Sequence, residues 1–148
     1  MSAFTPTPSR AAGTTRGTGV RLLHLAAVTA LVVSAVVHGA LAGSYGAAQP
    51  GINLGKAFIL QAVLTLAVAG WLLLRDRPLP WLAGAAIMVG TLGAILMAHT
   101  GSGLPKLGPM PALKEEGYDL PQVVTMTAEA AYLVLAAVRL ASRRPRRS

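Results

Sequence analysis

Glu129 is the one acidic side chain set well inside an apolar stretch of this 148-residue chain. Counting from about Pro121 at ~1.5 Å per helical residue puts it roughly 12 Å into that stretch. Gln122, Thr125, Glu129, Tyr132 and Ala136 recur at three- and four-residue steps, so they share one helical face. Val124, Ala131, Leu135 and Val138 make the opposite face apolar. Laid side by side, the neighbouring apolar runs bring His38, Gln61 and His99 to a comparable level, with Thr65 one turn beyond Gln61. An ionisable group inside a membrane is costly to bury and marks a functional site by default. The expected ligand or proton site is therefore His38, Gln61, His99, Thr125, Glu129 and Tyr132, with Tyr45, Thr100 and Lys56 at its rim.

Several chemistries suit such a set. A b-type haem needs two imidazoles at similar depth on facing helices, which His38 and His99 supply, leaving Glu129 without a task. Copper is open because Met97, Met110 and Met126 accompany those histidines, although no Met-x-x-Met or His-x-His cluster is present. Zinc hydrolysis lacks a His-Glu-x-x-His helix. A proton-responsive Glu–His pair needs the fewest assumptions, since a carboxylate is hard to keep charged in hydrocarbon. Plain interhelical hydrogen bonding, or an interface with another subunit, also accounts for these side chains. His24 stands about four turns before His38, on roughly the same face. No further histidine is available to pair with it, so it is expected to be interfacial.

The elements that must carry these residues follow from composition. The chain is 53% hydrophobic and 12% charged, about half the charge of a soluble domain. Apolar runs cover about 20–42, 54–74, 79–99 and 121–141, each near the ~20 residues that cross ~30 Å of hydrocarbon. The expected fold is all-α, an integral membrane four-helix bundle. Residues 1–18, rich in Ser, Thr, Pro and Gly, are expected to be a disordered tail. Residues 19–141 form the membrane domain and 142–148 a basic tail. Ala40-Leu41-Ala42 before Gly43 also has the form of a signal-peptidase site, which would leave three spans.

Of the 13 Lys and Arg, ten lie before span one, between spans two and three, or from Arg139 onward. That asymmetry places both termini in the cytoplasm and the loops 43–53 and 100–120 outside, in a multi-pass protein of the plasma membrane. Arg21, Arg75, Arg77, Arg143 and Arg144 are then expected at lipid headgroups. The net charge of +8 needs no nucleic-acid partner, because no fold or aromatic-basic motif accompanies it. Partners are the bilayer and a larger membrane complex or a second copy. With no cysteine, disulfides, thiolate metal sites and thiol redox chemistry are excluded.

Helices in lipid associate through small residues and buried polar groups. Ala30, Ser34, His38 and Ala42 form one such stripe, followed by Gly39-x-x-x-Gly43; Ala86, Gly90, Ala94 and Ala98 form another. Both are expected to be packing faces. In the outer loop, Leu104, Leu107, Met110, Leu113 and Tyr118 suit a lid over the bundle mouth or a segment resting among headgroups. Its Gly-x-Gly follows a helix and opens no βαβ unit, so nucleotide binding fails.

Val37-His38-Gly39-Ala40-Leu41, Phe58-Ile59-Leu60-Gln61-Ala62-Val63, Gly90-Thr91-Leu92-Gly93 and Thr127-Ala128-Glu129-Ala130 together resemble small four-helix membrane proteins common in actinobacteria. The resemblance runs over about residues 20–140. It implies the four-span layout and an actinobacterial origin, and brings no activity with it. The function expected is a non-enzymatic accessory or binding subunit. The alternatives are a haem or copper redox protein using His38 and His99, or an oligomeric proton-coupled transporter or enzyme using Glu129.

Overall fold

The computed structural model describes residues 14–47, 50–103, 105–106, 108 and 112–143. Four α-helices follow one another: α1 (Thr14–Leu41), α2 (Leu54–Leu74), α3 (Pro78–Ala98) and α4 (Leu120–Ser142). All four are long and apolar enough to cross a membrane. Their starts are set by local chemistry. Asn53 caps α2 by accepting from the Lys56 amide, Pro78 opens α3, and Asp119 and Gln122 close a capping box on α4.

The helix α1 starts earlier than its apolar run. Residues 14–18, expected in the disordered tail, are helical. A nucleated helix gains a backbone hydrogen bond for each residue added, so it extends past its apolar stretch where no proline stops it. Residues 1–13 lie outside the described residues.

The helices alternate in direction around a square: α1 touches α2 and α4, and α3 touches the same two. One end of the bundle holds the start of α1, the α2–α3 connection and the end of α4. It is called here the terminal end, and the other the loop end. The surface has the polarity of a protein in lipid. Val36, Leu60, Val89 and Val134 are exposed, whereas Ser34, His38, Thr65, Thr125 and Glu129 are buried. The apolar core, with Leu31, Leu72, Trp81, Met88 and Tyr132 fully covered, fills the terminal half.

Both polar stripes named from periodicity on α1 and α4 face inward: Ala30, Ser34, His38 and Ala42 are buried, as are Thr125, Glu129, Tyr132 and Ala136. The stripe expected on α3 packs only at its loop end, where Ala98 is buried and Ala94 half-buried against the cavity. Ala86 and Gly90 are exposed, and so are Gly39 and Gly43 on α1. The helix α3 instead buries Trp81, Gly84 and Met88. Specific partners decide this rotation, because a side chain on Gly84 would collide with the Tyr132 hydroxyl. Gly55 is a second obligatory close approach: a Cβ there would strike the Ala42 carbonyl and the Ala47 backbone.

Candidate functional site

The centre of the buried polar set is Glu129, which has no exposed surface. Its Oε1 accepts from Ser34 Oγ at 3.1 Å and from Thr91 Oγ1 at 2.8 Å, so α1, α3 and α4 meet on one oxygen. Oε2 is buried and has no hydrogen-bond partner. Ser34 stands one turn below His38 on α1. The His38 Nδ1 lies 2.9 Å from the Ser34 carbonyl and 3.5 Å from the Ser34 hydroxyl. A carbonyl can only accept, so Nδ1 carries the proton and Nε2 keeps its lone pair. No described protein group hydrogen-bonds that Nε2.

The arrangement is no nucleophile–base pair. The Ser34 hydroxyl is completely buried and spends its proton on Glu129, while His38 offers it no free basic nitrogen.

Above His38 lies a cavity of about 80 Å³ at the loop end. Leu41, Leu54, Phe58, Ile95 and Leu113 wall it, and His38 and Thr125 supply buried polar groups. Thr125 Oγ1 is buried without a partner, and so are Gln61 Nε2 and Thr65 Oγ1 on α2. Native proteins leave few such groups unmet.

Glu115 covers one side of this cavity and ties three elements together. It accepts from the Tyr45 hydroxyl at 2.7 Å and from Gln122 Nε2, and lies 3.8 Å from His99 Nε2. Its backbone amide donates to the Ala98 carbonyl at 3.1 Å. Burial, and then the hydrogen bond to Glu115, push the Tyr45 phenol up to about 12.

His99 sits between two carbonyls: Nδ1 is 2.8 Å from Ile95 O and Nε2 is 2.8 Å from Gly117 O, with its ring stacked on Tyr118 at 4.0 Å. Satisfying both carbonyls takes both ring protons. The bond to Ile95, then that to Gly117 and the charge of Glu115, accordingly raise the His99 pKa from its ordinary value, against a smaller opposing effect of burial. These bonds leave His99 no lone pair for a metal, so the His38–His99 pair does not fit a bis-imidazole haem or copper site without breaking one of them. Among the described residues no group of three His, Asp or Glu side chains stands close enough to hold a metal ion. Met110 lies outside the described residues, as do Leu104 and Leu107 of the expected lid.

The six expected site residues thus divide. His38, Thr125 and Glu129 converge on the loop-end half, and Gln61 on α2 is half-buried, with its Nε2 covered and unbonded. His99 serves the rim. Tyr132 belongs to the other end: its hydroxyl donates to the Trp81 carbonyl at 3.2 Å and its ring stacks on Trp81. Of the rim group, Tyr45 joins Glu115, whereas Lys56 Nζ donates to Gly51 O at 2.6 Å and Thr100 Oγ1 to Met97 O at 2.7 Å.

A second cluster was not foreseen. Asp76, in the α2–α3 connection, pairs with Arg139 and Arg143 of α4 and accepts from Trp81 Nε1 at 2.9 Å. His24 Nδ1 stands 4.0 Å from it and packs edge-on against Trp81. Arg143, expected at lipid headgroups, is committed here, also donating to the Asp76 carbonyl at 2.7 Å. Arg21, Arg75 and Arg77 are exposed; Arg144 lies outside the described residues.

Ser34 and Thr91 were likewise missed as ligands of Glu129. The available signal was Ser34 one turn before His38 on the same face. Comparison with protein-family models, with curated proteins and with solved structures finds no match to this chain.

Proposed function

We propose that this chain is a non-enzymatic binding subunit of the cell membrane, with the loop-end cavity as its site and both termini in the cytoplasm. One observation carries the reading: an apolar-walled cavity is lined by His38, whose Nε2 no described group hydrogen-bonds, and by Thr125, whose Oγ1 is buried without a partner. An apolar pocket with a few convergent polar groups is the usual form of a small-molecule site. Leaving a buried donor or acceptor unmet costs about 1–3 kcal/mol, which a bound molecule would recover. The excess of arginine at the terminal end supports the orientation, with Arg21, Arg75 and Arg77 at lipid headgroups and the cavity opening outward. A larger membrane complex or a second copy is the partner this role requires.

A proton-linked variant of the role is favoured by the chain His38–Ser34–Glu129, which joins two ionisable groups through a single residue. The fully covered plug of Leu31, Leu72, Trp81, Met88 and Tyr132 beyond Glu129 makes this a blind well and not a path across the bundle.

The test is xenon uptake by the full chain in lipid nanodiscs, followed through the methyl signals of Leu41, Leu54 and Leu113. Saturable shifts that disappear in Ala94→Leu, which fills the cavity, are expected. Absence of any shift in the parent protein would sink the reading.

A further inference from the structure

Resting on that assignment of the cavity as a binding site, we infer that its ligand is a small neutral hydroxyl compound, or the hydroxyl end of a longer amphiphile. The alcohol O–H donates to His38 Nε2, and its oxygen accepts from Thr125 Oγ1.

The class follows from what the site's groups have left to offer. Tyr45 gives its only proton to Glu115 and Gln122 gives it one of two amide protons, so Tyr45 has no donor left and Gln122 keeps a single N–H. Among the described residues Glu115 is the one carboxylate lining the cavity, and it already receives those two donors, with His99 at 3.8 Å. Among the described residues no lysine or arginine lines the cavity, so an anion would meet no counter-charge from them. A cation would find that carboxylate already engaged by two donors and facing His99. Beside that N–H of Gln122, two side chains of the described lining have a polar atom that makes no hydrogen bond. His38 Nε2 is an acceptor only, because its Nδ1 proton is held by the Ser34 carbonyl. Thr125 Oγ1, on a side chain 3% exposed, both donates and accepts. A hydroxyl is the simplest group that answers an acceptor and a hydroxyl at once. An ether or ketone lacks the proton that Nε2 needs, and a carboxylate brings charge the walls cannot meet.

Size narrows the class further. A cavity of about 80 Å³ is about half the ~150 Å³ that holds benzene. That leaves room for roughly three or four non-hydrogen atoms, with any longer chain leaving the cavity.

Ethanol and dimethyl ether have the same composition and differ in the O–H. The experiment titrates each into the full chain in nanodiscs and follows the ¹⁵N signal of His38 Nε2. Ethanol is expected to give a saturable shift with an apparent Kd about fivefold or more tighter than the ether, the ratio that one hydrogen bond of ~1 kcal/mol supplies. Thr125→Val should weaken ethanol by a similar factor while the protein stays folded, since the hydroxyl it removes is unpartnered. His38→Leu, followed through the methyl signals of Leu41, Leu54 and Leu113, should abolish the preference for the alcohol. Displacement of ethanol by 1-dodecanol in the bilayer would identify the amphiphile as the source. Saturable ethanol binding that dodecanol does not displace would identify a free short alcohol. Equal affinity for both isomers, with xenon still entering, overturns the ligand class and leaves the binding role standing. Exclusion of xenon as well removes both.

Discussion

At the terminal end Asp76 draws in Arg139, Arg143 and Trp81, and Tyr132 hands its proton to a backbone carbonyl. Toward the loop end Glu129 Oε2, Thr125 Oγ1, Gln61 Nε2 and Thr65 Oγ1 are buried with no partner. Both regions place polar side chains between apolar helices. In the first, protein groups answer nearly all of them, Arg139 Nε being the exception, and the result is a clamp across the α2–α3 connection, α3 and α4. In the second, hydrogen-bonding capacity is left over beside a cavity. A completed polar cluster serves stability, and an incomplete one invites a ligand, because only the second gains by binding something.

The largest effect should come from breaking the clamp. Asp76→Ala leaves two arginines and the buried Trp81 N–H without their acceptor, and should cost about 2–3 kcal/mol in thermal unfolding of the detergent-solubilised protein. The same carboxyl sets an acid limit. Burial works against its charge, but the hydrogen bonds from Arg139 and Trp81 and the charges of Arg139 and Arg143 outweigh it and hold Asp76 at about 2. Its folded pKa lies below the ordinary ~4, so the stabilisation is present above that value and is lost as pH falls toward 2. Asp76→Asn should lack this part of the acid destabilisation. An unchanged melting temperature in Asp76→Ala would end the description of this end as a clamp.

Next comes Glu129. Replacing it with Ala strips an acceptor from Ser34 and Thr91 at once and opens a void, for a loss of about 2 kcal/mol. Glu129→Gln keeps a carbonyl oxygen for both hydroxyls, and should cost less than about 1 kcal/mol. Equal losses in the two variants would show that the hydrogen bonds to Oε1 are not what the site needs.

A smaller effect is expected at the rim, and only with pH. The raised pKa of His99 means that its contribution is complete below ~6.5 and fades as pH rises through the folded value. Neutral His99 can donate to Ile95 or Gly117 but not both. Limited proteolysis between Gly103 and Gly117 should therefore quicken on going from about pH 6 to about pH 8.5, and His99→Gln should flatten that dependence. A cleavage rate independent of pH in the parent chain would contradict the two-carbonyl bridge.

The smallest change carries the opposite sign. Thr65→Val removes a buried, unpartnered hydroxyl and should leave stability unchanged or raise it by up to ~1 kcal/mol. A clear loss would mean that Thr65 is satisfied by something bound inside the bundle, and would extend the open region to that depth.

How much of this was legible in the sequence differs from helix to helix. The inward face of α4 followed from the spacing of Gln122, Thr125, Glu129 and Tyr132, and that of α1 from Ala30, Ser34, His38 and Ala42. In both, polar or small residues repeat on one side and large apolar ones on the other. The helix α3 was legible only in part: Ala94 and Ala98 face the bundle, whereas Ala86 and Gly90 show where a backbone could approach and not whether a partner waits there. Thr91 lay one residue from Gly90 and was passed over for that reason. Asp76 was hidden differently. It falls between two spans among arginines that serve a rule about orientation, and periodicity says nothing of a three-residue connection. Tyr132 sat correctly on the buried face, but its length carries the hydroxyl toward Trp81 and out of the set it had been grouped with.

What the amino-acid sequence determined by itself is therefore local: four apolar helices of membrane length and two polar stripes. Hydrocarbon thickness and the 3.6-residue turn act on each segment separately, and both can be read along one strand of text. Only the tertiary structure decided that Glu129 meets Ser34 and Thr91, that His99 spends both nitrogens on carbonyls, and that Asp76 closes a clamp. Those outcomes depend on the relative rotation and depth of helices, which packing of all four fixes together.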